Sequence, residues 1–114
     1  MDRTINTKFF TFRQNNSGGY FIINDYVARF VIIEARDANE AISKAIKITK
    51  NYSQSCPCCG KRWNLRVNDN DGTDEPMVFN TKIKEKEHKS DFGCETIIYY
   101  YNGQKEKLWY KSGN

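Results

Sequence analysis

The sequence predicts an α+β fold in which one long helix packs on a face of a mainly antiparallel β-sheet. Three observations predict it: extended apolar runs in the first half, one long run with helical periodicity, and an Asn-Gly turn between two aromatic-rich runs near the end. With 114 residues the chain has room for a single domain, residues 1–114. Hydrophobic residues make up 39% and charged residues 28%, which excludes a disordered or fibrous protein.

The first half begins with a predicted hairpin over residues 8–24. Phe10 and Phe12 alternate with polar residues, as in a half-buried strand, and the Asn- and Gly-rich residues 15–19 break the run before an apolar segment resumes it. Residues 27–35 form a third strand. Their almost continuous apolar character predicts a central position in the sheet.

Residues 37–51 are predicted to form the helix. Asp37 is the expected N-cap, and Glu40 three residues later completes a capping box. Apolar residues then recur at the spacing of one helical face, so this face is expected to lie on the sheet. The residues predicted to be buried there are Ala41, Ile42, Ala45 and Ile46.

The second half is more irregular. Strands are predicted at residues 62–67 and 77–83, on either side of an acidic loop at 68–75, and a hairpin at residues 95–101 and 104–110. The hairpin turns at Asn102-Gly103, the strongest short-range hairpin signal in the chain.

Charge and hydropathy narrow the classes of partner. The net charge of +4 favours anionic partners and argues against an acidic DNA mimic. No apolar run is long enough for a transmembrane span, so we expect no membrane partner. The first residues lack the apolar stretch of a signal peptide, and we therefore expect an intracellular protein.

Cys56 and Cys59 have the spacing of a zinc knuckle. Tetrahedral zinc needs two further ligands, and a second such pair is missing from the sequence. The residues left to close the site are Cys58, His88 and Cys94. The alternative is that these cysteines are reduced thiols, some of them buried. Zinc is therefore the one cofactor that the sequence suggests, with Cys56 and Cys59 as its ligands.

A polar turn supplies the first candidate ligand-binding residues. Arg13, Gln14, Asn15 and Asn16 offer side-chain donors, which together with free backbone N–H groups can bind phosphate or ribose. The spacing matches neither standard nucleotide-binding loop, and the alternative is an ordinary hairpin turn.

Arg62, Trp63 and Tyr100 are the remaining candidates. Arg can grip a phosphate, and an exposed Trp or Tyr ring can stack on a base, although core packing is the alternative for Trp63. Catalysis has little support, because the single histidine, His88, lies in a charge run and no nucleophile elbow is present. We therefore expect a protein that is not an enzyme.

Several segments together resemble an uncharacterised family of small tailed-phage proteins. They are the Arg13-Gln14-Asn15-Asn16-Ser17-Gly18-Gly19 segment, the helix after a strand, Cys58-Cys59-Gly60-x-Arg62-Trp63, the turn at residues 72–76 and the Tyr100-Tyr101-Asn102-Gly103 hairpin. The resemblance implies a phage-encoded protein made in the cytoplasm of the bacterial host, with no established activity. Small accessory phage proteins often counter host defences, and by analogy we expect the same here.

Three functions follow as hypotheses, of which one, a small enzyme that degrades an immune signal, is disfavoured by the missing catalytic residues. The first is a non-enzymatic binder that blocks a host defence protein or sequesters a nucleotide-derived immune signal, an anionic small molecule, as a homo-oligomer whose interface closes over the ligand. The alternative is a zinc-knuckle module that binds nucleic acid or a host protein.

Overall fold

The computed structural model describes residues 6–15, 19–53, 61–78, 81–82 and 96–108. The described residues form the helix α1 (Ala38–Thr49) and the strands β1 (Lys8–Gln14), β2 (Phe30–Ala35), β3 (Trp63–Asn64), β4 (Met77–Val78), β5 (Thr81–Lys82), β6 (Thr96–Tyr99) and β7 (Lys105–Leu108). The described residues also contain 3-10 turns at Lys50–Tyr52 and Asp69–Asp71. The predicted α+β class is confirmed.

Five strands form one sheet in the order β3-β1-β2-β6-β7, while β4 pairs with β5. Within the five-stranded sheet β2 and β6 are parallel and every other pair is antiparallel. The sheet is therefore mixed but mostly antiparallel. β2 lies at its centre, as predicted, and Val31, Ile32 and Ile33 are fully buried because both faces of the sheet are covered there.

The predicted hairpin over residues 8–24 is wrong. β1 ends at Gln14 and pairs along six of its residues with β2, whereas residues 20–23 form no strand. The Ile22 N–H instead donates to the side-chain oxygen of Gln14 at 2.7 Å. The physical reason is burial. β2 is buried at five of its six positions, so pairing of β1 with β2 removes more apolar surface from water than pairing of β1 with the partly exposed residues 20–23 would remove.

The start of α1 confirms Asp37 as the predicted N-cap, but the Glu40 side chain bonds the residue before the N-cap, so the predicted capping box is not formed. The Asp37 carboxylate accepts the Glu40 N–H at 2.8 Å, and the Glu40 carboxylate accepts the Arg36 N–H at 2.7 Å. A second carboxylate, from Asp69 in the acidic loop, accepts the Ala38 N–H at 2.8 Å. Three of the N–H groups at this end of the helix thus have side-chain acceptors, and the acidic loop is tied to the helix.

The buried face of α1 is narrower than predicted. It consists of the small residues Ala38, Ala41, Ala45 and Thr49. Ile42 is partly buried, but Ile46 is 50% exposed, so its predicted burial is wrong. Ile46 is rotated by about 100° around the helix axis from Ala45. The small side chains of the buried face bring the helix axis close to the sheet, and at this rotation Ile46 lies outside the contact face.

The C-terminal hairpin is confirmed. β6 pairs with β7 antiparallel, and Gly103 has a φ of 94°, a conformation that favours glycine. The other predicted strands are shorter than expected. The run at residues 62–67 contains only β3, and the run at 77–83 holds β4 and β5, which pair with each other.

The acidic loop packs tightly on β1. Backbone hydrogen bonds join Thr73 and Phe9 in both directions, at 2.8 and 3.0 Å. A Cβ atom on Gly72 would lie 2.7 Å from Cβ of Lys8 and 2.9 Å from Cζ of Phe10. Glycine is thus required at position 72 by close approach of the loop to the strand.

The two faces of the sheet have separate cores. On the helix side Phe10, Phe12, Val31, Ile33 and Trp63 pack with the alanines of α1. On the other side Phe30, Ile32, Val78 and Ile98 form a second cluster. Among the helical segments described, none has the length and apolar character needed to cross a membrane.

Candidate functional site

A cleft of about 280 Å³ opens beside the C-terminal end of α1, next to β3. It is lined by Thr49, Ser53, Lys61, Arg62, Trp63 and Leu65. The two cations, Lys61 and Arg62, come from the two positions just before β3, and the apolar surface comes from Trp63 and Leu65. The cleft therefore combines positive charge with an apolar wall.

Arg62 is buried in the wall of the cleft, with only 2% of its surface exposed. Its Nη1 donates to the side-chain oxygen of Gln14 at 3.1 Å and to the carbonyl of Tyr20 at 2.9 Å. The guanidinium also lies 4.5 Å from the centre of the Tyr20 ring, within the range of a cation–π contact. The orientation of Arg62 is thus fixed by the surrounding protein.

Gln14 is buried as completely as Arg62, with 2% of its surface exposed. Its Nε2 donates to the carbonyls of Ile22 and Ala28 at 3.0 and 2.9 Å, and its oxygen accepts from the Ile22 N–H and from Arg62. Both donors and both lone pairs of the amide are therefore used. Gln14, predicted as a ligand donor, instead holds the two ends of residues 22–28 against β1.

Trp63 is 6% exposed, and its indole N–H donates to the carbonyl of Tyr52 at 2.9 Å. The hypothesis that this ring is exposed for stacking on a base is wrong. The alternation of β3 turns Trp63 towards the helix-side core, where it covers much more apolar surface than it could at the rim. Its contribution to the cleft is an apolar wall.

Asn15 joins β1 to the segment that carries the two cations. Its N–H donates to the Arg62 carbonyl at 2.6 Å, and its side-chain Nδ2 donates to the Lys61 carbonyl at 2.9 Å. The structure thus brings four predicted residues together, namely Gln14, Asn15, Arg62 and Trp63. Of these, Arg62 and Trp63 line the cleft, while Gln14 and Asn15 position them.

Arg13 and Tyr100 lie elsewhere. Arg13 is exposed and alternates with Gln14 along β1, so its side chain leaves the face of the sheet opposite to that of Gln14. Tyr100 follows β6, where its hydroxyl donates to Glu106 at 2.6 Å and its ring meets Phe9 edge-on at 6.0 Å. Neither residue takes part in the cleft.

The remaining predicted site residues lie outside the described residues. They are Asn16 and the metal candidates Cys56 and Cys59, together with the closing ligands Cys58, His88 and Cys94. Within the described ranges no three His, Cys, Asp or Glu side chains come close enough to hold a metal ion. The zinc hypothesis therefore stays a prediction.

The sequence reasoning missed four residues of the cleft, namely Thr49, Ser53, Lys61 and Leu65. The sequence offered a signal for Lys61, since this residue directly precedes Arg62. Thr49 and Ser53 had none, because only the tertiary fold places the end of α1 beside β3.

The structure is that of a small α+β domain, with a cleft of mixed cationic and apolar lining between the helix and the edge strand β3. The chain belongs to the DUF7296 family, a domain of unknown function, whose model matches residues 7–113. No curated protein and no solved structure matches it.

Proposed function

We propose that the protein is a non-enzymatic binder of an anionic, nucleotide-like small molecule, which it holds in the cleft beside β3. The observation that carries the proposal is the lining of the cleft: Lys61 and Arg62 beside the apolar surface of Trp63 and Leu65. A phosphate needs cationic donors, and a base or sugar gains from contact with an apolar wall. None of the six described lining residues carries a carboxylate, so the field in the cleft favours an anion.

The two cations have different tasks in this proposal. Arg62 is held in place by Gln14 and Tyr20, and because only 2% of its surface is exposed it supplies positive potential to the cleft and not a direct contact with the phosphate. Lys61 is exposed, and its flexible ammonium can follow the ligand into the cleft. Lys61 is therefore the better position for a mutation, because its side chain can be removed without disturbing the core.

The size of the cleft supports the proposed homo-oligomer. Pockets that bury most of a ligand usually enclose about 300–1,000 Å³, and this cleft has about 280 Å³. A ligand larger than a mononucleotide would extend beyond it. A second copy that covers the opening would enclose the rest, which is the arrangement we propose.

In the cell, we propose, the protein is made by a phage in the cytoplasm of its bacterial host and sequesters a nucleotide-derived immune signal. The resemblance to small tailed-phage proteins supports this role. A signal present at low concentration requires sub-micromolar affinity, which corresponds to a binding free energy of about −8 kcal/mol or better.

Calorimetric titration with nucleoside phosphates and cyclic dinucleotides tests the proposal. We expect at least one of them to bind at sub-micromolar concentration and to be recovered chemically intact after denaturation of the protein. Lys61→Ala should weaken binding about tenfold, because a charged hydrogen bond contributes about 1.5–3 kcal/mol, whereas Lys61→Arg should bind nearly normally.

Arg13→Ala is the matched control, since it removes the same charge from the opposite face of the sheet. Equal weakening by Arg13→Ala and Lys61→Ala would show that only net charge matters and would contradict the proposed site. Absence of binding across the whole panel would contradict the ligand class.

A further inference from the structure

Residues 20–28, here called the tyrosine loop, carry three of the four exposed large hydrophobic side chains in the described part of the chain. Tyr20 is 51% exposed, Ile23 36% and Tyr26 53%. In the described part of the chain, the remaining large hydrophobic residue with comparable exposure is Ile46, on α1. Large apolar side chains exposed close together mark interaction surfaces more often than chance exposure does.

The tyrosine loop is held rigidly. Gln14 binds its backbone at Ile22 and Ala28, as described above. The Asn24 side-chain oxygen accepts the N–H groups of Tyr26 and Val27 at 2.7 and 3.0 Å. Since Val27 and Ala28 are almost fully buried, the loop cannot turn its apolar residues inward without breaking the core. Such preorganised surfaces lose little entropy on binding.

The charges around the tyrosine loop indicate an acidic partner. Its one acidic residue, Asp25, is already paired with Lys107 at 2.9 Å, an ion pair that holds the pKa of the Asp25 carboxyl below its ordinary value. Lys105 lies 4.6 Å from the centre of the Tyr26 ring, and Arg29 lies 5.1 Å from the centre of the Phe21 ring. The rim therefore carries two cations beside aromatic rings. Lys105 also donates to the backbone carbonyl of Asp25 at 2.7 Å, whereas the Asp25 carboxylate is paired with Lys107.

The same contacts favour a protein over single-stranded nucleic acid. Base stacking needs free ring faces, but the Tyr26 ring is already stacked on Tyr52 at 6.2 Å and contacted by Lys105. The Tyr20 ring is contacted by Arg62, and the aliphatic Ile23 offers no face for a base. Exposed tyrosines that present ring edges and hydroxyls are typical of protein interfaces.

We infer that the tyrosine loop is a docking surface for a protein partner that presents acidic side chains around an apolar groove. The tyrosine loop adjoins the wall of the cleft through the contact of Tyr20 with Arg62, but Ile23 and Tyr26 are not among the residues that line the cleft. A second copy of this chain fits poorly, because it would bring Lys105 and Arg29 towards the same cations of its partner.

Selection from a display library of short random peptides on the folded full-length protein tests the inference. The enriched peptides should combine Asp or Glu with large apolar residues. Measured individually by fluorescence anisotropy, they should lose at least about tenfold in affinity with the double variant Ile23→Ser, Tyr26→Ser, as expected for truncated hot-spot residues. Lys105→Gln should lower the affinity for these peptides less than the double variant does, and it should reduce the salt dependence of binding.

The matched control is Ile46→Ser, which removes a similarly exposed apolar side chain outside the loop and should leave the affinity unchanged. Circular dichroism confirms that each variant is folded. Enriched peptides without acidic residues, or equal affinity for the loop variant and the wild type, overturn the inference. So does loop-dependent binding of single-stranded oligo(dT), or loop-dependent self-association in sedimentation velocity. Loss of nucleotide binding by Lys61→Ala leaves this inference unaffected, which separates the two sites.

Discussion

Replacing Gln14 by leucine should destabilise the protein strongly although no apolar contact is lost. The substitution removes four hydrogen bonds, three with backbone groups of Ile22 and Ala28 and one with the guanidinium of Arg62. Neutral hydrogen bonds contribute about 1 kcal/mol each and one to a charged group about 1.5–3 kcal/mol, while burial of the leucine offsets about 1.5 kcal/mol. We therefore expect a loss of roughly 3–4 kcal/mol, a large part of the about 6–17 kcal/mol typical of such a chain.

Urea unfolding followed by circular dichroism measures this loss. Gln104→Leu is the matched control, because Gln104 is exposed in the turn before β7 and the same chemical change there should cost less than about 0.5 kcal/mol. Hydrogen exchange adds a local measurement, since the Ile22 N–H loses its acceptor only in the Gln14 variant. A loss below about 1 kcal/mol for Gln14→Leu would refute the view that this amide holds the tyrosine loop in place.

Two further predictions test the packing of the sheet. Ile42→Asp places a charge on the partly buried edge of the helix face and should lower the free energy of unfolding in urea by about 2–3 kcal/mol. Ile46→Asp should lower it by less than about 0.5 kcal/mol, because that side chain is half exposed. Equal losses would contradict the observed rotation of the helix. Burial raises the pKa of Tyr99 to about 12 from the model-compound value of 10.0, so the neutral hydroxyl stabilises the fold fully below pH 10 and this contribution is lost as the pH rises towards 12. Tyr99→Phe should flatten the alkaline loss of stability measured by thermal unfolding, and an unchanged alkaline profile would contradict the raised pKa.

Local signals predicted α1 and the last hairpin well. Asp37 and Glu40 marked the start of the helix because capping depends on residues three positions apart, and Asn102-Gly103 marked a turn whose dihedral angles few other residues adopt. The central position of β2 followed from its apolar run. In each case the physical cause lies within a few neighbouring residues, so the sequence pattern contains it.

The partner of β1 and the role of Gln14 could not be predicted in this way. The polar run after β1 suggested a turn with free donors, and nothing near it in the sequence announces that Arg62, 48 residues later, supplies a buried partner for Gln14. Burial of a polar side chain is decided by tertiary contacts, which periodicity does not encode. The same holds for Trp63, because an indole ring can either stack on a base or pack in a core.

The edges of the sheet constrain how two copies can assemble around the cleft. β7 forms one edge of the described sheet. If two copies paired along β7 about a two-fold axis, one residue of β7 would lie opposite the same residue of the other copy. If that residue is Lys105, Glu106 or Lys107, like charges meet directly across the strands, which is destabilising. At the other edge β3 has only two residues, and it carries Trp63 in the wall of the cleft. A copy that docks at the β3 edge covers the cleft, whereas a copy at β7 leaves it open. The proposed oligomer and the proposed ligand therefore require the same edge of the sheet, the β3 edge.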